Sequence, residues 1–178
     1  MTFRRNVLMT MAVGGLLIPL TAAPALADHG VVSARGPLAD LQPALPNATD
    51  GASALLVAFP DGSGGTRAVL LVTGIKDSVG TTYGAHAHTG PCQAGAPLAA
   101  GPHYNTTVTP PTAPTIINDQ VELWLDFTVR PGGVGIGRAT VPFVIANGKA
   151  QSIVIHEMAT DQNNGVAGPR QACLPVNF

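Results

Sequence analysis

Two histidines separated by one residue, His86 and His88, are the clearest chemical signal in this sequence. In a β-strand, side chains two residues apart point to the same face, so both imidazoles can reach one metal ion. The small residues Gly84, Ala85 and Ala87 leave room for that approach. Imidazole is a common ligand of zinc and copper. The alternative interpretation of such a pair, taken alone, is two surface or capping residues.

Two long irregular stretches, Thr89–Pro114 and Glu157–Pro169, each begin directly after a histidine. The first contains Cys92 and His103, and the second is followed closely by Cys173. Long irregular segments within a compact β domain are usually functional or held by a crosslink. This coincidence is the first indication of a functional site.

The rest of the sequence predicts an all-β fold. Short β-branched or apolar runs are separated by Gly, Pro, Asn and Asp, and no apolar stripe with helical spacing exceeds two turns after the N-terminal segment. The candidate strands are Ala52–Phe59, Thr66–Ile75, Tyr83–His88, Val121–Val129, Val134–Ile145 and Gln151–His156.

The N-terminal segment, residues 1–27, has the features of a signal peptide. Arg4 and Arg5 precede the apolar run Val7–Leu20, and Ala25 and Ala27 are small residues at a cleavage position. The arginine pair also fits a twin-arginine signal. We therefore expect an exported mature domain, residues 28–178, that is periplasmic, extracellular or at the cell surface and has no membrane span.

Charge and cysteine content narrow the function classes further. Without Arg4 and Arg5 the chain carries seven basic and ten acidic residues, and no basic run favours nucleic acid. In an oxidising compartment, an even count of two cysteines predicts one disulfide, Cys92–Cys173, worth roughly 3–5 kcal/mol. The sequence leaves open whether the chain forms a homodimer.

Five motifs follow in the order of a known family. They are Gly84–His88, Cys92, Ala100–Asn105, Val154–Glu157 and Ala167–Cys173. This series resembles the copper/zinc superoxide dismutase family, from GxHxH through AGPHxN and VHE to AGxRxAC. The resemblance covers residues 52–173 and implies a Greek-key β-sandwich of about eight antiparallel strands.

The resemblance also assigns roles to single residues. It implies copper ligation by four imidazoles. His103 matches the bridging histidine of the family, which also takes part in proton transfer. Arg170 matches the arginine beside the metal that attracts and orients superoxide. The implied ligand set is His86, His88, His103 and His156. Cys92 and Cys173 match the family disulfide.

One part of the family pattern is missing, because no histidine lies between His103 and His156. The zinc site of the family needs imidazoles there, so we expect zinc to be absent, as in the copper-only branch. Asp119 and Glu122 stand where that branch has a carboxylate pair, and Asp126 follows. A carboxylate there could fix the orientation of His103; the alternative is two solvated residues at a strand start.

The expected function is superoxide dismutation at a copper ion without zinc. The first alternative is a copper-binding or copper-delivery module, to which His29 could add a contact. The second is a zinc hydrolase with Glu157 as the base, although neighbours on a strand point to opposite faces. A metal-free structural sandwich would leave four histidines unexplained.

Overall fold

The computed structural model describes residues 30–108, 112–114 and 116–178. The predicted signal peptide and His29 lie outside these residues. Two four-stranded antiparallel sheets pack face to face, and a short two-stranded sheet flanks them. The strands are β1 (Val32–Pro37), β2 (Ala39–Asp40), β3 (Ser53–Pro60), β4 (Thr66–Thr73), β5 (Thr82–Tyr83), β6 (Ala85–His88), β7 (Phe127–Thr128), β8 (Val134–Val141), β9 (Ser152–His156) and β10 (Arg170–Pro175).

The first sheet, which we call the open sheet, has the order β1-β3-β4-β8. Its strands alternate between buried and solvent-facing residues, as a sheet with one wet face should. Leu56 in β3 pairs with Leu70 in β4, and both are fully buried against the second sheet. The pairing of β4 with β8, which are far apart in sequence, is the long crossover of a Greek-key sandwich.

The second sheet, which we call the covered sheet, has the order β2-β10-β9-β6. Every residue of β6 and β9 is buried. Ala85 and Ala87 face the core between the sheets, whereas His86 and His88 take the alternate positions and face the other way. The same alternation in β9 puts Ile155 in the core and His156 outside it. The outer face of this sheet is therefore closed by loops.

A disulfide between Cys92 and Cys173 fastens the first of these loops to β10, with the two Cα atoms 5.6 Å apart. A small apolar cluster on the outer face of the covered sheet surrounds it and includes Leu41, Ala100 and Val154. The short 3₁₀ helix Pro97–Ala100 lies in the same loop. The predicted disulfide is confirmed, and disulfides of this kind are typical of extracellular proteins.

The predicted all-β class is confirmed, and four predicted strands lie within a few residues of β3, β4, β8 and β9. Tyr83–His88 is split at Gly84 into β5 and β6. Strand β1 was missed because it contains Gly36 and Pro37, which an edge strand tolerates. Strand β10 was missed because it contains no β-branched residue.

The predicted strand Val121–Val129 is wrong over most of its length. Only Phe127–Thr128 is a strand, and residues 122–125 are buried without alternation. This segment runs extended beside β6, where Leu125 donates a backbone hydrogen bond to Ala85. It also packs so tightly on β8 that a Cβ at Gly137 would overlap the backbone oxygen of Leu125. The described residues contain no helix with the length and hydropathy of a membrane span.

Candidate metal centre

Strands β6 and β9 supply three of the four histidines. They pair in antiparallel register, with His86 opposite Val154. His156 closes the pairing by donating its backbone N–H to Gly84. Gly84 is required here, because a Cβ would lie 2.7 Å from that of Ala167 and 2.9 Å from the Thr160 hydroxyl. The pairing brings the three rings to one end of the covered sheet.

The fourth histidine, His103, returns to the sheet from the loop that follows β6. Thr89 donates its backbone N–H to Pro102, and Tyr104 donates to Ala87, so His103 lies beside His88. The loop can turn back so closely because Gly90 packs against the backbone of Ala100, where a side chain would not fit. The His103 ring is about one-fifth exposed, whereas His86 and His88 are fully buried.

The expectation that the four histidines meet is confirmed. One ring nitrogen of each residue lies within 4.8 Å of those of the other three. The Nε2 atoms of His88 and His156 are 3.3 Å apart, and the ring centroids of His86 and His103 are 4.2 Å apart. Among the described residues this is the one group of three or more His, Cys, Asp or Glu side chains with metal-ligand spacing.

The hydrogen bonds of the rings leave one nitrogen of each free for an ion. His88 Nδ1 is 3.0 Å from the backbone oxygen of Gly101, and His156 Nδ1 is 3.1 Å from that of Gly168. Carbonyl oxygens only accept, so both rings carry a proton on Nδ1 and present Nε2 as an acceptor. His103 Nδ1 lies 2.8 Å from Glu122 Oε2, which leaves its Nε2 free in the same way.

His86 is turned the other way round. Its Nε2 is 2.7 Å from the hydroxyl of Thr160, while its Nδ1 is buried and has no hydrogen-bond partner. A buried polar atom without a partner costs about 1–3 kcal/mol, which a metal bond would offset. The donor set is thus one Nδ1 and three Nε2 atoms. It fits a metal ion that prefers imidazole, such as copper or zinc.

Glu122 is buried at 1% exposure beneath His103. Besides His103, it accepts hydrogen bonds from Trp124 Nε1 at 2.9 Å and Asn105 Nδ2 at 3.0 Å. Burial alone would raise the pKa of this carboxyl, but the three donors outweigh it and lower the pKa. Glu122 is therefore an anion that fixes the tautomer of His103.

Asp119 does not join this arrangement. It is exposed, and its carboxylate accepts a hydrogen bond from the neighbouring Gln120 side chain. Of the predicted carboxylate pair, the structure brings only Glu122 to His103. The sequence spacing could not show that the two carboxylates separate. Residues 118–120 form a turn at the surface, and the chain enters the core only after it.

Thr160 and Asp126 form a second support that the sequence did not indicate. The Thr160 hydroxyl donates to Asp126 Oδ1 at 2.7 Å, and its backbone N–H donates to Oδ2 at 2.9 Å. The hydroxyl can then accept the Nε2 proton of His86. Each of the four rings is thus held by an acceptor on its far side, which is the usual outer support of a histidine ligand.

Burial keeps three of the four imidazoles neutral. It lowers the pKa of His156 to about 4 and those of His86 and His88 well below the ordinary value. The other rings of the cluster act in the same direction. Neutral imidazoles are the form that binds a metal, so these three rings can bind one near neutral pH.

Arg170 lies at the rim of an open cleft of about 320 Å³ that also exposes His103 and His156. It is opposite His156 in the β9–β10 pairing, and an irregularity between Arg170 and Ala172 redirects the strand there. The guanidinium donates to the backbone oxygen of Pro97 at 2.7 Å. A fixed positive charge therefore faces the approach to the histidines.

Glu157, the base of the hydrolase alternative, is exposed and lines a different groove with Tyr83 and Gln171. The cleft that reaches the histidines does not include it.

Comparison with known proteins adds support for the fold alone. No family model and no curated protein matches this chain. Ninety-one chains of solved structures match it. One is the clock protein EA4, with 16% sequence identity and a TM-score of 0.57 over 83% of this chain and 92% of that chain. The chain is thus similar in fold to that protein, in agreement with the β-sandwich described above.

Proposed function

We propose that this protein is a copper-dependent superoxide dismutase that works without zinc. The observation that carries the proposal is the set of four ring nitrogens within 4.8 Å, reached through a cleft with Arg170 at its rim. The order of the five sequence motifs, which resembles the copper/zinc superoxide dismutase family, supports the same choice. Dismutation needs a metal that changes oxidation state, which zinc does not.

The environment of His103 supports a site without zinc. Its Nδ1 proton is donated to Glu122, so the atom that would bind a second metal already has a partner. Glu122 in turn also accepts hydrogen bonds from Asn105 and Trp124. The described residues offer no further histidine for a closed zinc site.

The residues of the cleft divide the remaining work. Arg170 attracts the superoxide anion and orients it at the open side of the cluster, where a local charge matters because the chain as a whole is slightly negative. His103, the most exposed of the four rings, passes on a proton taken from water at Nε2 when this nitrogen does not hold the metal, and Glu122 keeps the ring in position meanwhile. Bound copper would supply the one-electron exchange by which two superoxide anions and two protons become O2 and H2O2.

A second candidate function is copper binding or delivery without significant catalysis. His103 borders not only the cleft with Arg170 but also a second opening of about 470 Å³. A ligand that borders two openings favours exchange of the ion. Arg170 distinguishes the two functions, because a carrier does not need to orient an anion.

Compartment and assembly complete the proposal. The disulfide favours an oxidising compartment, so we propose export to the periplasm, cell surface or medium. A homodimer stays a prediction.

The test combines metal analysis with a superoxide assay on the purified protein. We expect one copper per chain, no zinc, and loss of both copper and activity in His86→Ala. Asp119→Asn is the matched control, because Asp119 is exposed and its carboxylate bonds to Gln120 and to none of the rings. Full activity in a copper-free sample would overturn the proposal. Tight copper binding without activity would replace it with the delivery function.

A further inference from the structure

The outer face of the open sheet carries an ordered apolar patch. Leu55 pairs with Leu71 across β3 and β4, and Val57 pairs with Val69 in the next outward row. Leu55 is 37% exposed, and the other three are partly buried by their neighbours only. No loop among the described residues covers this face, in contrast to the covered sheet. Four aliphatic side chains therefore form a nearly flat centre that faces outward.

Three arginines surround this centre. Arg35 is opposite Leu55, Arg138 is opposite Val69, and Arg67 is opposite Phe59 in the third row. All three are exposed, and none forms an ion pair in the described part of the chain. Strands β1, β3, β4 and β8 contain no acidic residue. The face is thus positive, although the whole chain has a net charge of −1.

The nearest carboxylate, that of Asp61 in the β3–β4 turn, is already occupied. It accepts hydrogen bonds from the backbone and hydroxyl of Ser63 and from the backbone of Gly65. These bonds keep the carboxylate charged and directed to its own turn, so that it offsets only the charge of Arg67 at one end of the patch.

A shallow groove of about 380 Å³ on this face is lined by apolar side chains and by one that is positively charged. Its floor contains Leu55 and Leu71, its hydroxyl groups come from Ser53 and Thr73, and Arg35 stands at its side. An aliphatic floor next to one guanidinium suits an amphiphile that has an acyl chain and a phosphate. Guanidinium groups bind phosphate oxygens in a planar, two-pronged geometry.

We propose that this face docks onto an anionic phospholipid surface, with the three arginines on lipid phosphates and the aliphatic centre against the upper acyl region. A second copy of the chain is disfavoured, because a two-fold contact would bring the guanidinium groups together. An acidic polysaccharide would satisfy the arginines but would leave the aliphatic centre without a partner.

The test is sedimentation of the full protein with vesicles of phosphatidylglycerol and phosphatidylcholine. We expect binding to the mixed vesicles, little binding to phosphatidylcholine alone, and release by high salt. Arg35→Gln/Arg138→Gln should weaken the partitioning about 25-fold. Leu55→Ser should weaken it at unchanged charge.

The matched control is Arg130→Gln/Lys149→Gln, which removes the same charge from residues outside the patch. Unchanged thermal unfolding of each variant excludes misfolding as the cause of any loss. An equal loss in both double variants would overturn the proposal, since binding would then follow net charge and not this face. Retention on heparin without binding to the vesicles would also overturn it, in favour of a polysaccharide.

Discussion

The two large sheets of this sandwich use the same β geometry to different ends. The open sheet alternates strictly between side chains packed in the core and side chains on an outer face, where arginines surround aliphatic residues. The covered sheet is buried on both faces, and its outward positions carry His86, His88 and His156 in place of solvated residues. The two sheets differ because loops cover the outer face of only one of them. The position of the loops, and not the strand pattern, therefore decides where outward-facing polar side chains are buried together.

If the loops are what buries the site, removing the disulfide that holds the first loop should have the largest effect on stability. In Cys92→Ser/Cys173→Ser we expect the free energy of unfolding to fall by about 4.5 kcal/mol, because the bond closes a loop of 81 residues. Urea unfolding monitored by circular dichroism measures this. Reduction of the wild-type protein should give the same loss. An unchanged midpoint would show that the loop is held by packing alone.

The second largest effect should be the loss of stability in acid, and it should come from the covered sheet alone. The strands of the open sheet contain no residue that titrates between pH 7 and 5. The folded-state pKa values of His86, His88 and His156 are lowered, so the unfolded chain binds more protons below about pH 6.5 and stability falls as the pH falls. Three imidazoles together should cost the copper-free protein about 3 kcal/mol between pH 6.5 and 5.5.

Urea titrations of the copper-free protein at several pH values measure this slope. The lowered pKa of Glu122 acts in the same direction, but its stabilisation is lost only below about pH 4.5. His156→Gln should remove about one-third of the slope. A stability that is flat from pH 7 to 5.5 would contradict a neutral buried cluster.

Glu122→Gln probes the support of one ligand with little change in shape. An amide cannot accept from His103, Asn105 and Trp124 together, so at least one buried donor loses its partner. We expect copper affinity to fall ten- to a hundredfold in competition with a chelator. Asp119→Asn is the matched control, and an equal loss in both variants would refute a specific role for Glu122.

Thr160→Val tests the support that the sequence did not indicate. The change removes one hydroxyl, so His86 Nε2 and Asp126 Oδ1 both lose a partner. Copper affinity should fall about tenfold, and the copper spectrum in electron paramagnetic resonance should change. Thr160→Ser keeps the hydroxyl and should restore both. A normal spectrum in the valine variant would assign Thr160 to packing alone.

The sequence was sufficient for the sandwich, the disulfide and the four histidines, because each depends on a local pattern or on rare residues. It was insufficient for the supports of the rings. Asp126 and Thr160 are single polar residues separated by 34 positions, and only the fold brings them together. The strand prediction for the segment from Val121 was wrong because this segment is apolar for a different reason. It is buried between β6 and β8 and does not alternate between a buried and an exposed face.

The smallest predicted effect concerns Arg170, the one positively charged side chain that lines the cleft. Arg170→Gln should lower kcat/KM for superoxide about tenfold and weaken its dependence on ionic strength, while copper content stays unchanged, because the guanidinium donates its hydrogen bond to Pro97 and not to a ring. Arg138→Gln on the open sheet removes the same charge far from the cleft and is the control. Stopped-flow decay of superoxide at two salt concentrations distinguishes them. Equal losses would mean that overall charge steers the substrate, and the contrast between the two sheets would then not extend to substrate attraction.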